Sequence, residues 1–502
     1  MNLCAFREEA VQLKDIIQSL EIDGVKGDLN LQITGLTSDS KKVSAGYLFV
    51  CLKGSRFDGH DFLNEAKEKG IKACLVEREV ELQEGVTIIK VKDTMEAVGS
   101  LAANFYGYPS SKLKMIGVTG TNGKTTVTYL VEAILQKAGF KVGRISTINY
   151  HLEDEEIPAP VFTTPPAIEF QKILARMVTK GISHVIMEVS SHALATSRVK
   201  GCHFEVAIFT NFSQDHLDFH HTLEDYLSAK IKLFESFQGP DSTAIINIDD
   251  PASETIISRT KANILTYGLS PQADLTAEEI RLSLKGTSFK VQGEEMELNL
   301  IGRHNVYNAL ASIGVGLVLG IEMGIIREAL KGVNSITGRL EFIRMGQDFD
   351  VIIDYAHTPD ALRSVIKTLR EVAKGRITVV FGCGGDRDRS KRPLMGKAAA
   401  SLSDYLIITS DNPRSEDPLE IIREIEAGLS EGSICPYSII PDRKEAIRQA
   451  INLARRDDTI LVAGRGHESF QIIKEEKIPF DDRKVASFWL EEKGYHGSSE
   501  GR

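Results

Sequence analysis

No apolar run in these 502 residues is long enough to span a bilayer, and the opening MNLCAFREEA lacks a basic stretch followed by an apolar core. Membrane insertion and export are not expected, and the cytoplasm is the predicted compartment. Basic blocks are absent too. With 60 Lys and Arg against 70 Asp and Glu the formal net charge is −10, which excludes a general nucleic-acid surface and makes any phosphate binding local. The six cysteines (Cys4, Cys51, Cys74, Cys202, Cys383 and Cys435) are scattered without metal-binding spacing. That argues against a zinc site and for free thiols in a reducing compartment. Internal repeats and low-complexity tracts are also missing, and a monomer is expected.

What is present reads as an α/β protein too long for one core. The first hundred residues contain short strand-like runs, LQITGL, GYLFVCLKG, KACLVE and TIIKVK, with a helical stretch near 61–69. They predict a small α/β domain over 1–111. After YGYPSSKLK, whose composition suits a linker, longer apolar runs alternate with helical segments: MIGVTG, SHVIMEVSS, VAIFTNF and TAIINID. Apolar residues at successive positions predict strands covered on both faces, hence a parallel sheet, over 112–336. A second linker near NSITGRLE opens a third domain, 337–502. There DVIIDYA, RITVVFGCGG, YLIITSDNPR and TILVAGRGH repeat the pattern, predicting a Rossmann-like doubly wound sheet.

MIGVTGTNGKTTVTYLVEAIL combines a buried strand, a glycine-rich turn and an amphipathic helix. Gly120 and Gly123 would let backbone N–H groups close on phosphate oxygens, Lys124 would neutralise them, and the Thr125 hydroxyl could meet magnesium. The strict phosphate-loop spacing would put its first glycine at Val118, so this loop is a variant. A purely structural turn is the bland alternative. Glu188 ends the apolar run IMEVSSH, where a carboxylate needs a cation or a donor. His216 lies in the polar cluster NFSQDHLDFH. Each has an ordinary structural reading alone; together with a phosphate loop they predict one magnesium site.

The segment TLEDYLSAKIKLFESF predicts a helix capped by Thr222 and ended by Gly239 and Pro240, with Leu223, Tyr226, Leu227, Leu233, Phe234 and Phe237 on one apolar face. Lys230 lies among them. An ammonium there must snorkel outward, find a partner, or cease to be an ammonium.

GTNGKTT, MEVSSH, TNFSQDHLDFH, EDYLSAKIKLF, GRHNVYNALAS, GRLE, DYAHTPDAL and GCGGDRDRSKRPLMG occur in order along nearly the whole chain. Together they resemble the Mur ligase family of cell-wall precursor synthesis. The resemblance implies an ATP-dependent amide ligase working through an acyl phosphate, with ATP as co-substrate. It also implies that Lys230 is carbamylated by carbon dioxide, becoming N6-carboxylysine, an anion able to ligate magnesium with Thr125, Glu188 and His216. Lys124, His216 and Lys230 are then the expected catalytic residues. ATP would be held by Gly120, Thr121, Asn122, Gly123, Lys124, Thr125, Thr126, Asn305, Arg339 and Asp354, although Asn305 and Arg339 also read as turn and linker residues.

The N-terminal LTSDSKKVSAGYLFVCLKG resembles the uridine-nucleotide domain of the branch that adds the third residue of the peptide stem, with Ser38 and Ser40 at matching positions. Thr163, Thr164, Ser190, Thr196 and Arg198 match contacts to the muramoyl dipeptide, and a guanidinium suits a carboxylate there. Asp411, Asn412, Pro413 and Arg414 read DNPR, which resembles the tetrad of enzymes that add meso-diaminopimelate and also suits a plain structural turn, while Arg387, Gly464 and Glu468 match further contacts to that amino acid. Arg414 would bind the carboxylate that distinguishes diaminopimelate from lysine. Three rivals remain: a folylpolyglutamate-type ligase, a phosphate-loop switch or motor that hydrolyses ATP to change shape, and a purely binding role.

Overall fold

The computed structural model describes residues 10–54, 57–82, 85–158, 162–429 and 435–496; Cys4 and the rest of 1–9 lie outside them. The four strand-like runs of the first hundred residues each supply strands, and Ile22–Lys26 adds one that was not predicted. The first sheet has the order Ile22–Lys26, Thr87–Val91, Ala73–Val76, Tyr47–Val50, Gly35–Thr37, parallel except for its first pair. The helix Thr94–Phe105, capped by the Asp93 side chain, leads out of it. Its Glu96 accepts from Ser197 Oγ at 2.6 Å and pairs with Lys200 at 2.7 Å, which fastens this sheet to the next.

The second sheet has nine strands in the order Glu155–Pro158, Asn149–Leu152, Val142–Ile145, His184–Glu188, Lys114–Thr119, Val206–Phe209, Thr243–Asn247, Asn263–Gly268, Leu275–Thr276. The seven from Val142 onward are parallel. Continuous apolar runs are explained by the two faces. Ile116, Val118, Ile186, Val206, Ile208 and Ile245 pack under the helices Lys124–Lys137 and Arg303–Val318, while Met115, Val185, Met187, Phe209 and Ile246 meet the opposite layer. Two features lie outside the parallel pattern: the antiparallel edge strands Asn149–Leu152 and Glu155–Pro158, and a three-stranded antiparallel sheet, Glu278–Ser283, Gly286–Val291 and Glu294–Leu298. The third large sheet runs Glu341–Phe342, Asp350–Asp354, Thr459–Ala463, Ile377–Phe381, Tyr405–Ile408, Tyr437–Ile439, parallel after the first strand.

The helix carrying Lys230 spans Leu223–Glu235, and the Thr222 hydroxyl caps it by accepting from Asp225 N at 3.1 Å. Two expectations about it need correction. It ends at Glu235, before Gly239 and Pro240, and Leu223 is exposed, being the first helical residue next to the Thr222 cap. Among the described residues no helix is long and apolar enough to cross a membrane. Cys51, Cys74, Cys202, Cys383 and Cys435 are free; burial pushes the Cys74, Cys202 and Cys383 thiols up to about 12.

The C-terminal sheet also buries an ion pair. Arg443 donates to both carboxylate oxygens of Asp482 at 2.8 Å and to the Ala463 carbonyl at 2.9 Å, with both side chains fully enclosed. Asp482→Ala strands the guanidinium, so we expect its unfolding in urea to show a loss of about 3–5 kcal/mol in the transition of this domain. A loss below about 1 kcal/mol would show that water reaches Arg443.

Candidate functional site

The three strand-ending motifs converge because parallel strands deliver their C-terminal ends to one edge. A cavity of about 490 Å³ opens there, lined by the loop 121–126, Thr163, Glu188, Ser190, His216, Lys230, Asn305, Arg339 and Asp354. The loop is clamped from outside by a residue the sequence reading passed over. Asn211 accepts from Asn122 N at 2.9 Å through its side chain and from Thr121 N at 2.8 Å through its carbonyl. Gly120 is required: at φ +146° a Cβ would fall 1.9 Å from Thr210 Oγ1.

Lys124 Nζ donates to the carbonyls of Gly120 and Thr121 at 2.9 and 2.8 Å. Lys230, 1% exposed, donates to the same Gly120 carbonyl at 2.8 Å, and its Nζ lies 4.4 Å from the centre of the Tyr226 ring. It has no carboxylate within salt-bridge distance among the described residues. Burial, reinforced by the Lys124 charge, pushes its pKa well below the ordinary lysine value. Burial lowers the Lys124 amine as well.

Glu188 is held rigidly. Its Oε1 accepts from Thr125 Oγ1 and Thr147 N at 2.8 Å each, and its Oε2 accepts from Thr147 Oγ1 at 3.0 Å. His216 adopts φ +56° at the start of the short helix Leu217–His220. Burial outweighs neighbouring Asp215, 3.4 Å from Nε2, and pushes its ring down to about 3, which favours the neutral imidazole. Burial also takes His192, 4.6 Å from it, to about 4. Carboxylate, hydroxyl and neutral imidazole suit a hard divalent cation. Among the described residues no three His, Cys, Asp or Glu side chains form a metal-holding group, so such an ion would have to draw on Thr125 and Lys230.

The C-terminal domain closes the cavity. Arg339 Nη2 donates to Thr125 Oγ1 at 3.0 Å, with its guanidinium 4.5 Å from the Tyr355 ring. Asp215 lies 4.0 Å from His357 and 3.9 Å from Lys391. Burial pushes the Asp215 carboxyl up, but His216, Lys391 and His357 together win and hold it well below the usual carboxylate range. Asp354 has both oxygens engaged by backbone, accepting from Leu340 N at 2.8 Å and Ala356 N at 2.7 Å. Asn305 donates to Ile301 O and accepts from Asn308 Nδ2.

Beside the cavity, Thr164 Oγ1 donates to Ser190 Oγ at 3.2 Å. Arg198 donates to Thr164 O at 3.0 Å and Thr196 Oγ1 at 3.1 Å, and stacks 4.6 Å over Phe162. The remaining residues lie apart. Ser38 is exposed and Ser40 accepts from Lys69 through its carbonyl, both in the N-terminal domain. Arg387, Asp411, Asn412, Pro413, Arg414, Gly464 and Glu468 gather in the C-terminal domain. There Arg414 (φ +52°) donates to Gly385 O at 2.7 Å, and Asn412 Nδ2 donates to Glu468 Oε2 at 2.8 Å. Thr147, Asn211, Asp215, Tyr355, His357 and Lys391 were not singled out from sequence. Asn211 and Asp215 fall inside the TNFSQDHLDFH cluster, whereas Thr147 in RISTINY carries no local signal.

Three family models match the chain in succession: the Mur ligase family catalytic domain over residues 32–106, the Mur ligase middle domain over 118–316, and the Mur ligase glutamate ligase domain over 338–466. A protein of Caldanaerobacter subterraneus called UDP-N-acetylmuramoyl-L-alanyl-D-glutamate--2,6-diaminopimelate ligase is 46% identical over 486 residues, covering 96% of this chain and 99% of its own. The chain belongs to the Mur ligase family. A Geobacillus thermodenitrificans Mur ligase of the same description is 46% identical over 473 residues, 92% of this chain and 96% of its own. A solved structure, again so described, matches with a TM-score of 0.68 at 31% identity, covering 97% of this chain and 100% of that one.

If the loop 120–126 is the nucleotide cradle expected from the sequence, it has to keep its shape to receive a nucleotide. Because a Cβ at Gly120 would displace the loop, Gly120→Ala is expected to weaken ADP binding, measured by titration calorimetry, at least about tenfold in a folded protein. Unchanged affinity would mean the loop is not the nucleotide cradle.

Proposed function

We propose that this Mur ligase adds meso-diaminopimelate to UDP-N-acetylmuramoyl-L-alanyl-D-glutamate, consuming ATP and releasing ADP and phosphate, as a cytoplasmic monomer in peptidoglycan precursor synthesis. The three units 1–111, 112–336 and 337–502 would take the uridine nucleotide, ATP and the amino acid respectively. The observation that carries the reading is the gathering of an arginine-bearing amino-acid cluster and a phosphate loop around domains that already meet at Arg339 and Asp215.

The dipeptide carboxylate attacks the γ-phosphate to give an acyl phosphate, and the amine of diaminopimelate then displaces phosphate to form the amide. Lys124 has to leave the Gly120 and Thr121 carbonyls for phosphate oxygens, and Arg339 is placed to meet the same phosphates from the other side. Arg198, with Ser190, Thr163 and Thr164 near it, would hold the dipeptide. Closing the domains excludes water from the acyl phosphate, which would otherwise be lost to hydrolysis. Arg414 and Arg387 would grip the second carboxylate of diaminopimelate, a group lysine lacks.

Lys230 supplies the remaining ligand. Its neutral amine attacks carbon dioxide, a C–N bond forms, one proton leaves, and a buried neutral amine becomes a buried anion beside Lys124. Thr125, Glu188, His216 and carbamylated Lys230 would then hold a magnesium ion, whose contribution when bound is to neutralise charge on the transferred phosphoryl group.

Two measurements test this. ATP hydrolysis should require both UDP-muramoyl dipeptide and diaminopimelate, with kcat/KM for L-lysine at least about 100-fold lower. Equal use of lysine would remove Arg414 from specificity, and hydrolysis without either acceptor would favour a switch or motor. Lys230→Ala should lose at least about 100-fold in rate and recover partly with added short-chain carboxylic acids; full activity without them would sink the anionic ligand.

A further inference from the structure

Arg465 is a buried charge with no part in the steps above. It sits between Gly464 and Glu468 and is fully enclosed. Its Nη1 donates to Asn412 Oδ1 at 2.8 Å and stands 3.4 Å from Glu468 Oε2. Its Nη2 donates to the carbonyls of Phe470 and Phe480, and the guanidinium packs 5.6 Å from the Phe480 ring centre.

These contacts decide how Asn412 is turned. Its amide oxygen accepts from Arg465 Nη1 and from Ile472 N, also at 2.8 Å. Both partners can only donate, so the amide cannot flip, and Nδ2 must face Glu468. The strand Phe470–Ile473 is tied to the same loop, since Arg414 N donates to Ile472 O at 3.0 Å and Lys474 N to Arg414 O at 2.6 Å. One guanidinium thus joins the loop of Asn412 and Arg414, the turn of Gly464 and Glu468, and the strand beside them. Burial and the Asp411 charge push the Glu468 carboxyl up, and Arg465 and Arg414 oppose that rise.

We infer that Arg465 is a positioning residue for the amino-acid substrate: without touching it, the guanidinium presets the Asn412 amide and the Glu468 carboxylate as a donor and acceptor pair for a zwitterion. This rests on the reading that the cluster receives diaminopimelate. R465K keeps the charge and puts its donors on one nitrogen, without the planar fork that reaches Asn412 and both carbonyls together.

The test measures KM for all three substrates, with thermal midpoints, in wild type, R465M and R465K. R465M is expected to raise KM for diaminopimelate roughly tenfold while leaving KM for ATP and for UDP-muramoyl dipeptide within about twofold, and R465K to restore most of the loss. An unchanged diaminopimelate KM in R465M, or an equal rise in all three, overturns the inference. If R465M does not fold, R465K decides alone: a selective rise of about two- to fivefold supports the inference and no selective rise overturns it. Wild-type protein that forms no amide from diaminopimelate overturns the functional reading as well; wild-type protein that does, with R465M unaltered, overturns only the inference.

Discussion

Two lysines share one carbonyl oxygen. Lys124 and Lys230 come from helices about a hundred residues apart in sequence, yet both amines end on Gly120 O, at 2.9 and 2.8 Å. Both being ionised would put two desolvated like charges against one dipole, an arrangement that a protein interior does not tolerate without compensation. Lys124 belongs to the loop proposed to meet phosphate. The strain therefore falls on Lys230, which has Tyr226 beside it and no carboxylate partner, and whose amine is driven toward the neutral form. A neutral amine is the nucleophile that carbon dioxide needs, and the resulting anion would turn the repulsion between the two residues into attraction. Gly120 makes the arrangement possible, because any side chain there would collide with Thr210.

The rest of the architecture gathers polar groups from two domains around that spot. Parallel strands bring Glu188 and the phosphate loop to a common edge, and Thr147 fixes the carboxylate with two hydrogen bonds. Arg339 at Thr125 and the contacts of Asp215 with His357 and Lys391 bring the C-terminal domain over the same edge. Tyr355 lines the cavity and packs 5.0 Å from His467 in the turn that carries Gly464 and Glu468, so the cavity and the cluster proposed to take the amino acid are neighbours. Enclosure of this kind strengthens each electrostatic contact and protects an acyl phosphate from water.

Sequence made the scaffold legible where one residue type had one physical meaning. Runs such as the VIM of SHVIMEVSS, apolar at successive positions, predicted strands covered on both faces, and Ile186 and Met187 do face opposite layers. The strand, glycine turn and helix around Gly120, Gly123 and Lys124 were legible because positive-φ glycines between a buried strand and a helix need that combination. The edge strands Asn149–Leu152 and Glu155–Pro158 were not, since NYHLEDEEIP alternates weakly and carries charges that suit a solvent-facing edge. Leu223 misled because helical spacing predicts a stripe without saying at which turn of the helix its burial begins. Thr147, Asp215 and Arg465 stayed hidden for another reason: each acts through partners 41, 142 or 53 residues away, and no local pattern records such a contact.

The account depends most on the chemical state of one side chain. Carbon-13 NMR of protein equilibrated with labelled bicarbonate reads it directly: a single carbamate resonance is predicted in the wild type and none in Lys230→Ala. A wild-type spectrum without that resonance, or one in which it survives the substitution, would contradict the claim that Lys230 reverses its charge.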